Sequence, residues 1–168
     1  MPETHRPMRR ANRELTNKDE LKGIVERATV VRVGFMDEEG MAIVPMNYGF
    51  EWDEAAEGAG LTLWLHSAGE GRKADAWGTS PEVAIELDVE AGVTTGDYSC
   101  AYSYAYESIM GNGHISPVAD KANKLHGLEL IMAHMAPDAP VRFSDEAVER
   151  VAVWRVDLTH FTGKHREA

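Results

Sequence analysis

From Tyr98 to Tyr106 the chain alternates Tyr98, Cys100, Tyr102, Tyr104 and Tyr106 with the small residues Ser99, Ala101, Ser103 and Ala105. A period of two sends successive side chains to opposite faces of a strand. The stretch therefore predicts a long strand with an aromatic face and a small-residue face, running past Gly111 and Gly113 toward Ile115. Similar signals recur. Val30 to Met36 is β-branched and apolar, Asp37-Glu38-Glu39-Gly40 is a turn, and Met41 to Phe50 completes a hairpin. Pro45 cannot donate to a ladder, so it predicts an edge strand or a bulge. Leu61 to His66, Pro81 to Asp88 and Val151 to Leu158 read as further strands.

Helical spacing is confined to three places. Thr16 followed by Asp19 resembles a cap, and Leu21, Ile24, Val25 and Ala28 form the stripe behind it. Gly69 to Gly78 is a short helical stretch. Pro117 to Met135 is the longest, with Leu125, Leu128, Ile131 and Met132 as its buried face, and a loop broken by Pro137 and Pro140 follows. Strands linked by hairpins, with helices outside them, lack the βαβα alternation of a parallel sheet. The expected fold is mainly β with peripheral helices: an antiparallel barrel in one domain, which 168 residues suffice to bury around a single core. Residues 1–13 have no periodicity and are expected to be a flexible or draping arm.

Charge narrows the function. With 17 Lys+Arg against 28 Asp+Glu the net charge is −11, so a polynucleotide would be repelled. No run of about 18 apolar residues is present to span a bilayer, and the basic stretch Met1 to Arg13 has no apolar segment behind it to make a secretory signal. The one cysteine, Cys100, has no internal partner, which fits a reducing compartment. The expectation is a soluble cytoplasmic protein. Eight of the 17 bases lie within the first 32 positions, whereas Val33 to Asp120 holds 16 acids and only two bases, the adjacent Arg72 and Lys73. That pair is either a solvated helix start balanced by Glu70 and Asp75 or an anion site.

The local sequence bears on that choice. Gly69-Glu70-Gly71-Arg72-Lys73-Ala74 matches the dinucleotide pattern G-x-G-x-x-A, with Asp88 placed for a ribose. The helix before Pro81 is too short for a βαβ unit of roughly 30 residues, so a dinucleotide fold is the least favoured reading, one that predicts NAD binding with no bound chromophore. Helix N-terminal N–H groups, a glycine and an Arg-Lys pair still make a site for one phosphate monoester. Ser67 stands ready to donate a hydroxyl, and His66 ends the preceding strand, as a satisfied structural histidine or as a group near the ligand. Metal-ligand spacings and G-x-S-x-G are absent, so no metal is expected. The tyrosine face reads as core, as dimer interface, or as a flavin or base platform.

Together these segments resemble a known family. Arg32-Val33-Gly34-Phe35, Val44-Pro45-Met46-Asn47-Tyr48-Gly49-Phe50, Leu63-Trp64-Leu65-His66-Ser67-Ala68-Gly69-Glu70-Gly71-Arg72-Lys73, Tyr106-Glu107-Ser108-Ile109-Met110-Gly111-Asn112-Gly113 and the closing Thr162-Gly163-Lys164 follow the order of the pyridoxamine-phosphate-oxidase-like flavin proteins, nearest their nitroimidazole-resistance branch. The resemblance covers roughly residues 8–165. It implies a split β-barrel over residues 14–168 that binds FMN at the interface of a homodimer. It places Pro45, Met46, Asn47 and Tyr48 along the flavin ring, and His66, Ser67, Arg72 and Lys73 at the ribityl phosphate. The strand bearing Ser108 approaches from the second subunit, with Arg32 and Lys164 as further anion contacts. It also implies an oxidoreductase that uses NADH or NADPH and a small organic acceptor such as a nitroaromatic compound, with His66 as proton donor or substrate contact. A non-catalytic FMN-binding or sensing protein and a haem-binding relative are the alternatives. The chain has no Trp/Arg-rich substrate segment after Lys164, so pyridoxine-phosphate oxidation is not expected.

Overall fold

The computed structural model describes residues 5–167. Its strands are β1 (Glu14–Leu15), β2 (Val31–Asp37), β3 (Gly40–Met46), β4 (Gly49–Trp52), β5 (Leu61–Ser67), β6 (Glu82–Thr94), β7 (Ser103–Pro117) and β8 (Ala152–Arg166). All pair antiparallel in the order β3-β2-β6-β7-β8-β5-β4. β8 divides its second edge: Ala152 to Asp157 pairs with β5, while Gly163 and Lys164 pair with β1. The sheet thus splits at β8 and curls into a split barrel. β3 ends the order, so Pro45 does sit on an edge strand, where its missing N–H costs no ladder bond.

Alternation fixes what enters the barrel. Val31, Val33 and Phe35 of β2 are buried while Arg32 between them is exposed. The same inner face takes Leu61, Leu63 and Leu65 of β5, Val83, Ile85 and Leu87 of β6, and Val156 and Leu158 of β8. Helix α1 (Lys18–Arg27) closes one end with Leu21, Ile24 and Val25. Its cap is Asn17, one residue beyond Thr16, whose Oδ1 accepts from the Asp19 and Glu20 N–H groups at 2.8 and 3.1 Å. The Tyr48 hydroxyl lies 2.6 Å from the Val25 carbonyl and 2.9 Å from that of Ala28, so it satisfies the C-terminal end of α1 from inside the core.

The expected strand from Met41 to Phe50 divides in two: β3 ends at Met46, and β4 pairs with β5 instead of β2. Three further differences from the expected elements have local causes. The tyrosine strand begins only at Ser103, because Ser99–Ala101 is a 3-10 turn that helps reverse the chain between β6 and β7. Tyr98, Tyr102 and Tyr104 are exposed, and Ala105 is the buried partner of the alternation. Helix α3 (Lys121–Met135) starts at an Asp120 cap because β7 continues through Pro117. Its buried stripe is Gly127, Leu128 and Ile131, with Leu125 exposed. Gly127 turns that face inward because it lies flat on Trp64, where a Cβ would stand 2.5 Å from Cε3. Finally, the expected loop after Pro140 contains helix α4 (Asp145–Arg150), whose Ser144 cap accepts from the Ala147 N–H at 3.2 Å. Helices α3 and α4 bury a second, smaller core of Trp64, Leu128, Ile131, Val148 and Val153 on the outer face of β5.

Candidate functional site

The site begins where β5 runs out. Leu65 is the last inward leucine; His66 follows on the outer face, and Ser67 ends the strand. The loop then turns at Gly71, whose φ of +102° is the left-handed region that favours glycine, and enters α2 (Arg72–Thr79). No side chain among the described residues caps this helix, so its first N–H groups lie beside a glycine with open space at its Cβ position. Antiparallel pairing throughout confirms that the G-x-G-x-x-A match is not a βαβ fingerprint, and Asp88 accepts from Arg32 on neighbouring β2.

The two adjacent bases behave differently. Arg72 meets Asp37 with two parallel bonds, Nε to Oδ2 at 2.7 Å and Nη2 to Oδ1 at 2.9 Å, and approaches Glu39 at 3.5 Å. Its balancing acids therefore come from the β2–β3 turn, not from Glu70 or Asp75. The guanidinium holds the Asp37 carboxyl below its ordinary range, chiefly through the hydrogen bond. Lys73, one step round the helix, is half-buried and makes no ion pair among the described residues. It faces His66. Burial first, and the Lys73 charge second, lower the His66 pKa below its ordinary 6.5, so the imidazole is neutral at pH 7.

His66 borders a cavity of about 320 Å³ walled by Leu128, Ile131, Met132 and Met135 of α3 and by Phe143 and Val151. The Asn47 amide lies 3.0 Å from the Met135 sulfur, at the same end of α3. Ser67 is engaged elsewhere. Its hydroxyl donates to the Ala68 carbonyl at 2.7 Å and accepts from the Trp154 indole at 2.9 Å. Sequence reasoning did not find Trp154 or Asp37 as partners; both are distant in the chain and meet the loop only through sheet register.

The remaining candidates lie on a second surface. Across the outer face of the sheet, Pro45, Arg32, Glu86, Met110 and Thr162 are register neighbours, and Asp88, Ser108 and Lys164 form the next row. Arg32 donates to Glu86 at 2.9 Å and to Asp88 at 2.6 Å. Two troughs cross this face, the second lined by Asp88, Ser108 and Lys164, and the segment from His5 to Met8 borders them. His5 stacks on His160 with ring centroids 3.5 Å apart. Met46 and Tyr48 point the other way, into the core, so only their backbone faces outward. Within one chain, then, His66, Ser67, Arg72 and Lys73 share one end of β5, Asn47 reaches the adjoining end of α3, and Pro45 and Ser108 belong to the bare sheet face.

Among the described residues no cluster of metal-ligating side chains occurs, and no helix is long and apolar enough to cross a membrane. Comparison with known proteins gives a consistent picture. No curated protein matches the chain. A solved structure of a candidate 5-nitroimidazole antibiotic resistance protein from Bacteroides thetaiotaomicron is 33% identical, with a TM-score of 0.76 over 90% of this chain and 86% of that one. The flavocytochrome Anf3 from Azotobacter vinelandii superimposes with a TM-score of 0.77 at 17% identity, over 96% of this chain and 73% of its own. An FAD- and haem-binding protein from Mycobacterium smegmatis does so at 0.76 and 15%, over 93% and 74%; at such identity these two share the fold alone. The family model for pyridoxamine 5'-phosphate oxidase matches residues 17–165, and the chain belongs to that family.

Proposed function

We propose that the protein is an FMN-binding oxidoreductase of the nitroimidazole-resistance type. It works as a homodimer with flavin at the subunit interface, and passes electrons from NADH or NADPH to a small organic acceptor such as a nitroaromatic compound. The observation that carries this reading is Lys73: a half-buried cation without an ion-pair partner among the described residues, at an uncapped helix start opened by Gly71. A phosphate monoester matches that donor set, taking backbone N–H groups and an ammonium beside a glycine with open space at its Cβ position. The 33% identity to the Bacteroides protein supports the branch.

FMN supplies the electron transfer when bound. The chain supplies position. Lys73 and the α2 N–H groups hold the phosphate, with Arg72 and Ser67 beside them. Pro45 and Asn47 line the ring with side chains, and Met46 and Tyr48 with backbone. Ser108 and Lys164 come from the partner's sheet face, whose exposed Ile43 and Met110 are covered by the second copy. His66 is the substrate contact, since a neutral imidazole lining the α3 cavity offers one hydrogen-bonding N–H and one acceptor; as proton donor it serves only in its charged form, below its lowered pKa. The test is the visible spectrum of the purified protein and identification of any chromophore released by heat, followed by reduction with NADH or NADPH and reoxidation by a nitro acceptor. A flavin spectrum with released FMN and turnover is expected. A flavin that does not turn over makes the protein a carrier or sensor, a Soret band makes it a haem protein, and a colourless protein that refuses added FMN contradicts the reading.

A further inference from the structure

The β2–β3 turn presents its own anion to the phosphate site. Asp37 ends β2, and its Oδ1 accepts from the Glu39 N–H at 3.0 Å, which fixes the carboxylate in an Asx turn before any cation arrives. Arg72 then lays both edges of its fork on that carboxylate, with Glu39 behind it. All of this involves a base at the first position of α2, adjacent to Lys73 and to the N–H groups assigned to the phosphate. A guanidinium fork matched to a carboxylate cannot at the same time be matched to a phosphate.

Resting on the proposed phosphate site, we infer that Asp37 competes with the ligand's phosphate for Arg72, so that binding a phosphate monoester exchanges one anion for the other and releases the β2–β3 turn from α2. The energetics permit exchange. The Arg72 side chain is 43% exposed and that of Asp37 17%, so the pair is partly in solvent, where ion pairs are weak and sensitive to salt. A phosphate carrying nearly two charges is the stronger partner for a guanidinium. Lys73 needs no exchange, because no carboxylate among the described residues holds it. The two bases thus divide the work: Lys73 is a standing phosphate contact, and Arg72 is one that the turn restrains.

Asp37→Asn tests this, since the amide keeps the Oδ1 acceptor of the turn and removes only the charge. The full-length variant is titrated with FMN and with riboflavin, which lacks the phosphate. FMN should bind about fivefold more tightly than to the wild type, as expected for loss of a partly exposed ion pair, with riboflavin unchanged and the gain shrinking at high salt. Glu39→Gln, at a more exposed acid, should give a smaller gain in the same direction and serves if Asp37→Asn folds poorly. FMN affinity that is unchanged or weakened in both variants, while the wild type binds FMN, overturns the competition and leaves the flavin site standing. A wild type that binds neither FMN nor inorganic phosphate overturns both.

Discussion

The outer faces of β5 and of β6–β8 start from the same rule and end differently. On β5, Trp64 and His66 turn away from the barrel and are covered by α3 and α4, which leaves one cavity with a neutral histidine at its edge. On β6, β7 and β8, the residues that turn away are Glu86, Asp88, Met110, Thr162 and Lys164, and no helix covers them. Alternation decides which side chains leave the core; it does not decide what receives them. A helix-covered face encloses its pocket within one chain, whereas a face crossed only by the segment from His5 to Met8, with Ile43 and Met110 exposed, is suited to a second chain. The proposed flavin site needs both, which explains why its residues fall into two groups here.

The largest effect should come from charging the bare face. Ile43→Glu combined with Met110→Glu would bring four carboxylates into a two-fold interface, each costing several kcal/mol if buried unpaired. Sedimentation should show monomer where the wild type is dimeric, with the monomer still folded. If the double variant dimerises like the wild type, the bare face is not the interface. Next is Lys73→Glu, which reverses the standing cation. FMN affinity should fall at least about a hundredfold while circular dichroism is unchanged. On the covered side, Gly49→Ala would drive a Cβ to 2.8 Å from Leu130 Cβ and closer still to the α3 backbone. Denaturation should show a loss of about 1–3 kcal/mol, and a neutral result would mean that α3 rides loosely on β4.

The smallest effect concerns His66. Its pKa is depressed in the fold, so the unfolded chain takes up this proton near pH 6.5 and the folded chain only lower. Its contribution is therefore absent above about pH 6.5 and becomes destabilising as pH falls below that value. His66→Gln should flatten part of the decline between about pH 7 and pH 5 in urea melts. His160, shifted the same way by burial and by His5, continues to contribute in that variant.

How far the sequence could be read follows from the range of each signal. The β2–β3 hairpin, the edge position of Pro45 and the β5–α2 junction with Gly71 were legible, because local alternation and backbone chemistry determine them. The α4 helix carried a readable sign, Ser144 ahead of Asp145 and Glu146, which the preceding Pro137 and Pro140 obscured. Tyr98 to Ala101 alternates like a strand yet turns, because pairing, not pattern, decides where β7 begins. The Arg72-Lys73 pair was visible as the only positive charge in an acidic stretch. That Asp37 takes one and leaves the other was not visible, since it depends on a one-position rotation around α2 and on a turn 35 residues earlier.

The central claim is that Lys73 and the start of α2 hold a phosphate, and comparing FMN with riboflavin on wild type and Lys73→Glu tests it most directly. The wild type should bind FMN at least about tenfold more tightly than riboflavin, and Lys73→Glu should erase that preference. Equal affinity for the two flavins in the wild type, or a preference that survives Lys73→Glu, would place the phosphate elsewhere.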